Sequence, residues 1–90
     1  MNELEVIRNR IKEIIKEIVP NINTDTITDD TGLISEGWLD SLGFLTLAVH
    51  VQEEFAIEIP FDRYSPEEFT LFGVFVSICE SAVADKTTGD

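Results

Sequence analysis

The sequence has few of the residues that build covalent cross-links or metal sites, with one cysteine and one histidine among 90 residues. Cys79 cannot form an internal disulfide, and one histidine with one cysteine cannot assemble a zinc site. The aspartates before Gly32 do not have the spacing of a calcium loop, so we expect no bound metal. No apolar run approaches the roughly 20 residues of a membrane span. The N-terminus has no basic segment followed by an apolar block, so no secretory signal is predicted. These absences favour a cytoplasmic protein without a membrane partner.

Basic residues are also scarce: the chain has 6 Lys and Arg against 18 Asp and Glu, a net charge of −12. Four of the six lie in the first sixteen positions, and the stretch from Glu17 to Asp62 has ten acidic residues and no Lys or Arg. An acidic surface repels nucleic-acid phosphates and attracts basic protein surfaces. We therefore expect a monomer that binds no nucleic acid. A simpler interpretation is that the acidic residues only keep a small protein soluble.

Hydrophobic residues make up 43% of the sequence, an ordinary share for a globular chain. The length suffices for one small core, so we expect a single domain over residues 1–85 and a flexible tail at 86–90. Apolar residues at three- and four-residue steps predict a first helix over 3–19, capped by Asn2 and stopped by Pro20.

Residues 20–40 have no helical period and predict a long loop, held down by its own apolar residues. A second helix is predicted from about Leu42 to Phe55, with Asp40 as its N-cap accepting from the amide of Gly43. Ser41 then falls at the first helical position. The candidate anchors of the loop are Ile27, Leu33, Ile34, Trp38 and Leu39.

Three further segments complete the chain. The segment AIEIP predicts an extended connection ended by Pro60. The segment SPEEF predicts a short helix with Ser65 as cap and Pro66 at its first position. Thr70 is predicted to cap a last helix that runs to about Ala84. The expected apolar positions of that helix are Leu71, Val74, Phe75, Ile78, Cys79 and Ala82.

The second helix has two apolar stripes. At roughly 100° per residue, one stripe suits a core, and the other lies almost opposite. The second stripe is either covered by the long loop, through Trp38 or Leu39, or forms an exposed ridge that binds a partner protein. Both interpretations remain open from the residues alone. The core stripe is Phe44, Leu47, Ala48, Val51 and Phe55, and the second stripe is Leu42, Leu45 and Val49.

Ser41 stands where free amides and the positive end of the helix dipole favour a phosphate. A catalytic serine would need a base, and His50 lies about 13 Å further along the axis on roughly the opposite face. No G-x-S-x-G motif is present. Ser41 is therefore not predicted to be a hydrolase nucleophile. His50 is expected at the surface or its boundary, and Cys79 is expected to be a buried small hydrophobe.

The segment GWLDSLGFLTLAVHVQEEFAIEIP, residues 37–60, resembles the central part of acyl carrier proteins, in which the serine of a D-S-L motif carries phosphopantetheine from coenzyme A. The similarity extends to the loop D-T-G-L-I-S-E-G at 30–37 and to the helices on either side. The tripeptide alone is a weak signal. Its place at a helix start, after a long loop in an acidic 90-residue chain, is specific.

The resemblance implies an all-α, acyl-carrier-like four-helix bundle, with three main helices, one short helix and a long loop between helices 1 and 2. It implies that Ser41 carries the arm, between Asp40 and Leu42, and that the protein is not an enzyme but holds acyl or aminoacyl groups as thioesters. The implied partners are a phosphopantetheinyl transferase, an acyl- or aminoacyl-loading ligase, and transferases or synthases with basic docking surfaces. The implied docking residues are Leu42, Leu45, Val49, Glu53 and Glu54.

The sequence departs from the housekeeping fatty-acid carriers at several positions of the second helix. Gly43, Thr46 and Gln52 stand where further acids are usual, and His50 stands where a small residue is common. These departures favour a specialised carrier for fatty-acid, lipid or polyketide-type biosynthesis. An aminoacyl, D-alanyl or peptidyl carrier is the alternative. An unmodified acidic interaction module is the alternative from a different class.

Overall fold

The computed structural model describes residues 3–88 and consists of helices and their connections. The α-helices are α1 (Glu3–Ile18), α2 (Ser41–Phe55), α3 (Pro66–Phe69) and α4 (Phe72–Thr88). Single 3₁₀ turns occur at Thr24–Thr26 and Phe61–Arg63. Within the described part of the chain the extended backbone pairs only at an isolated bridge between Gly32 and Leu71. The fold confirms the predicted all-α bundle with three longer helices, one short helix and a long first loop.

Helix α1 buries the apolar face that its spacing predicts. Ile7, Ile11, Ile14 and Ile15 are at most 4% exposed. The helix ends at Ile18, one residue before the predicted end. The predicted cap, Asn2, lies outside the described residues.

The long loop is fixed to the start of α4 by backbone hydrogen bonds. The amide of Phe72 donates to the carbonyl of Thr31 at 2.8 Å, and the amide of Gly73 donates to that of Asp29 at 3.0 Å. A Cβ atom at Gly73 would lie 2.6 Å from the Cβ of Asp29, so the close approach requires glycine here. Of the predicted loop anchors, three are buried (Ile27, Leu33 and Leu39) and two are half-buried (Ile34 and Trp38).

Helix α2 places its predicted core stripe inward: Phe44, Leu47, Ala48 and Val51 are buried, and Phe55 is half-buried. Aromatic rings join it to the later helices. The ring centroids of Phe44 and Phe69 lie 5.7 Å apart, and those of Phe44 and Phe75 lie 5.2 Å apart. The core is therefore continuous from α2 through α3 to α4.

Three predictions for the second half of the chain need correction. Helix α4 begins at Phe72, and Thr70 is not its cap; the Thr70 hydroxyl instead donates to the carbonyl of Pro66 at 2.6 Å. Phe72 and Val76, both 0% exposed, belong to the core although they were not predicted there. Helix α4 also continues to Thr88, so residues 86–88 of the predicted tail are helical, while 89–90 lie outside the described residues.

The connection after α2 follows the prediction. Ala56 ends α2 in the left-handed conformation, with φ 54°, and residues 57–60 connect it without helix or strand to the 3₁₀ turn that begins at Phe61. Ser65 precedes α3, and the carboxylate of Glu68 accepts from its amide and its hydroxyl. None of the helices within residues 3–88 is long and apolar enough to cross a bilayer.

Candidate functional site

Ser41 is exposed and is the first residue of α2, as predicted. The preceding residue, Asp40, is the N-cap, and its Oδ1 atom accepts from the amide of Gly43 at 2.7 Å. The carbonyl of Asp40 accepts the amide of Phe44 at 2.9 Å, which starts the helical ladder. The cap therefore fixes where α2 begins and leaves the Ser41 hydroxyl on the surface at the end of the helix.

The environment of Ser41 suits a phosphate ester. Amides of the first helical turn have no partner inside their own helix, and the helix dipole adds partial positive charge there. The free hydroxyl provides a point for covalent attachment, and its exposure leaves room for a long substituent. Ser41 would hold a phosphate ester of this kind through its hydroxyl, and the partial positive charge at the start of α2 would suit the negative charge of that ester.

The second apolar stripe of α2 is exposed. Leu42 is 72% exposed, Leu45 57% and Val49 51%. The loop does not cover these side chains, because Leu39 is buried in the core and Trp38 packs against it. We call this set the ridge. It borders a surface hollow of about 490 Å³, which is also lined by Thr46, His50 and Glu53.

His50 is half-buried and lines the hollow beside the ridge. It follows Ser41 by nine residues in the same helix, so its imidazole cannot reach the Ser41 hydroxyl. The prediction of a surface or boundary residue is therefore correct for His50.

Glu54 has a partner that the sequence did not indicate. The guanidinium of Arg10 donates to both of its carboxylate oxygens, at 2.6 Å and 2.9 Å. These hydrogen bonds lower the pKa of Glu54 below its ordinary value. Arg10 also contacts Glu13 at 3.1 Å and Glu17 at 3.6 Å. The carboxylate of Glu54 thus holds α2 to α1.

Cys79 lies in the core, 0% exposed, and its thiol is free. Burial raises the pKa of this thiol to about 12, so it is neutral near pH 7. The expectation of a buried small hydrophobe is confirmed. Within residues 3–88, no three His, Cys, Asp or Glu side chains come close enough to hold a metal ion.

Comparison with known proteins identifies the family. Residues 9–65 match the family described as a phosphopantetheine attachment site. This match contains the long loop, all of α2 and the connection to α3. The chain therefore belongs to the phosphopantetheine-binding family that includes acyl carrier proteins, and phosphopantetheine is its cofactor. The family suggested by the D-S-L segment is thus confirmed.

A curated relative, the acyl carrier protein AcpXL of Mesorhizobium japonicum, is 30% identical over 59 residues. The aligned part covers 66% of this chain and 62% of the relative. The match thus spans less than two thirds of the relative's length. No solved structure gives a significant match to the sequence.

Proposed function

We propose that the protein is an acyl carrier whose phosphopantetheine arm is attached to Ser41. The observation that carries the proposal is the Ser41 hydroxyl itself, exposed at the first position of α2 beside the Asp40 cap. The family match supplies the cofactor, and the relative's name favours acyl cargo over aminoacyl or peptidyl cargo. When bound, the arm supplies a thiol that holds cargo as a thioester.

Attachment is a phosphoryl transfer that this chain undergoes but does not catalyse. The Ser41 oxygen forms a bond to the phosphorus next to pantetheine, the pyrophosphate bond of coenzyme A breaks, and adenosine bisphosphate leaves. The hydroxyl proton passes to a base of the transferase, because His50 lies too far along α2 to accept it. The amides at the start of α2 stabilise the anionic phosphodiester that results. The carrier is therefore not an enzyme in this proposal.

The ridge is the proposed docking surface for the transferase and for the ligases, acyl transferases and synthases that load or use the cargo. Its three exposed apolar side chains follow Ser41 along the same helix, and Leu42 is the next residue. Asp40 and Glu53 are exposed acids on α2 and its cap, and they suit a partner whose docking surface is basic. Glu54, expected to join this surface, instead pairs with Arg10, and we assign it to the α1–α2 contact.

The first prediction tests the attachment site. Incubation with coenzyme A and a phosphopantetheinyl transferase should add the mass of one arm to the intact protein, and Ser41→Ala should abolish the addition. The control variant Ser77→Ala removes an exposed hydroxyl on α4, and it should gain the arm as the wild type does. An arm on the Ser41→Ala protein would show that the attachment residue is assigned wrongly. No arm on the wild type would favour the alternative of an unmodified interaction module.

The cargo is proposed to be an acyl intermediate of fatty-acid, lipid or polyketide-type biosynthesis. The thioester-bound group can be identified by purifying the protein from its native host and weighing the arm with its cargo. An aminoacyl group on the arm would instead establish the D-alanyl or peptidyl alternative.

A further inference from the structure

A surface groove of about 380 Å³ begins at Ser41 and lies between the long loop and α3. Its floor is mainly apolar and includes Ile34 and Leu71, both half-buried, with the ring of Pro66 at the side. Pro66 and Leu71 lie beyond residues 9–65, so the family match does not reach this wall of the groove.

The polar groups of the groove suit a chain of amides. Ser35 and Glu67 are exposed at its edge, and the Thr70 side chain lines its wall. The Thr70 hydroxyl gives its proton to the carbonyl of Pro66, so its oxygen can still accept a hydrogen bond. The carboxylate of Glu67 is likewise an acceptor. Pantetheine carries two amide N–H donors and a geminal dimethyl group, which match these acceptors and the apolar floor.

The route into the helical core is filled by aromatic rings. Phe44 of α2 stacks on Phe69 of α3, and Phe61 lies edge-on to Phe69 with 5.0 Å between ring centroids. Phe75 also lies edge-on to Phe44, with 5.2 Å between ring centroids, and is 0% exposed. An arm that passed between α2 and α3 would have to displace these packed rings. The groove is open to the surface, so its use requires no such displacement.

We propose that the pantetheine arm lies in this groove, between the loop and α3, and that its thioester stays outside the helical core. This inference rests on the proposed attachment to Ser41. Ser41 lines the groove, so a covalent arm would be present there at high effective concentration, and weak contacts with Ile34 and Leu71 would suffice to hold it. Cargo of any length would then be presented at the surface and would not be enclosed by the bundle.

The test is nuclear magnetic resonance of the holo protein, with isotope-labelled protein and an unlabelled arm. Intact mass first establishes that the arm is attached. We expect nuclear Overhauser effects from the geminal methyl groups of the arm to Ile34 and Leu71. We also expect amide shift changes between apo and holo protein at Glu67 and Thr70, which are distant in sequence from Ser41. The variant Ile34→Ser should lose these effects while its arm is still attached.

The control is Val6→Ala, which shortens an exposed side chain on α1, and it should retain the wild-type effects. The wild-type spectrum decides the question even if Ile34→Ser does not fold. Overhauser effects to Phe44, Phe69 and Phe75 would overturn the proposal, because they would place the arm in the core. Shift changes confined to residues 40–44, with an arm that relaxes like a free chain, would overturn it too. Failure of the arm to attach would overturn both this inference and the proposed function, whereas the other outcomes leave the attachment intact.

Discussion

Asp40 and Ser41 have different roles at the start of α2. The carboxylate of Asp40 is used inside the chain, because it accepts the amide of Gly43 and defines the first turn. The hydroxyl of Ser41 faces outward and has no base of its own helix within reach. In the proposed function, another protein therefore supplies the base and the phosphoryl donor.

The second prediction concerns this cap. Asp40→Ala should lower the free energy of unfolding by about 0.5–2 kcal/mol, because the amide of Gly43 loses its partner. Asp40→Asn should recover most of the loss, since an asparagine oxygen caps a helix almost as well. Urea denaturation followed by circular dichroism measures both. Equal losses for the two variants would mean that the charge of Asp40, and not its capping bond, stabilises α2.

At the scale of the helices, the contact between Arg10 and Glu54 joins α1 to the last turn of α2. The side chain of Arg10 is 29% exposed and that of Glu54 is 31% exposed, so solvent screens the pair and its contribution is modest. The bidentate geometry nevertheless fixes how the two helices lie against each other. Lys86 of α4 adds a second contact at this end of α2, donating to the carbonyl of Phe55 at 2.7 Å.

The third prediction uses the lowered pKa of Glu54. A depressed carboxyl pKa stabilises the fold above the ordinary value of 4.5, and this stabilisation is lost as the pH falls through the lower folded-state pKa. The difference in free energy of unfolding between wild type and Glu54→Gln should therefore be present at neutral pH and should shrink below about pH 4.5. Glu53→Gln, on the same turn, is the control. If the difference in free energy of unfolding between wild type and Glu54→Gln does not change with pH, Arg10 does not stabilise the fold through the charge of Glu54.

The sequence predicts those parts of the fold that depend on local patterns. The face of α1, the Asp40 cap and the stripes of α2 follow from spacing along one helix. Helix α4 does not, because the segment LFGVFVSIC is apolar on nearly every side and shows no preferred face. Phe72 and Val76 were therefore missed. Their burial depends on how the loop crosses the helix, through the bonds from Phe72 and Gly73.

In the candidate site, too, the features that depend on local sequence could be predicted and those that depend on distant residues could not. The place of Ser41 at the start of α2 could be predicted from the sequence, because the Asp40 cap precedes it and the helical period follows it; its role as the attachment residue stays a prediction. The partner of Glu54 could not, since Arg10 lies 44 positions earlier and many acids compete for few cations. The exposure of Leu42, Leu45 and Val49 also needed the structure. Their exposed fractions show that the ridge is uncovered, and the loop residues Trp38 and Leu39 pack toward the core instead.

At the scale of the whole molecule, charge and exposed apolar surface have separate effects on association. With a net charge of −12, we expect the chain to attract a basic partner over a distance and to repel a second copy of itself. In the proposed function, the ridge provides contact area only after the partners have met. Partner affinity should therefore fall with added salt through the association rate, while ridge substitutions should act mainly on dissociation.

The fourth prediction concerns the docking of the transferase on the ridge. Leu45→Ala should reduce kcat/KM for arm addition by roughly 5- to 30-fold, the effect of losing about 1–2 kcal/mol of docking energy. The free energy of unfolding should stay within about 0.5 kcal/mol of wild type, because Leu45 is 57% exposed. Val6→Ala, a substitution on α1 at a residue 47% exposed, should change neither quantity. An unchanged kcat/KM in Leu45→Ala would remove Leu45 from the docking surface.

The fifth prediction concerns the reactivity of the buried Cys79 thiol. The chain has one cysteine, and in the folded state its neutral, enclosed sulfur should resist maleimide. Intact mass should therefore show no maleimide on the folded apo protein and one maleimide on the unfolded apo protein. The folded holo protein should gain one maleimide, on the thiol of the arm. Rapid alkylation of folded apo protein would contradict the burial. If this labelling pattern holds, dyes, spin probes and surface linkers can be attached selectively to the thiol of the arm. The sequence would not first have to be changed to remove a competing sulfhydryl.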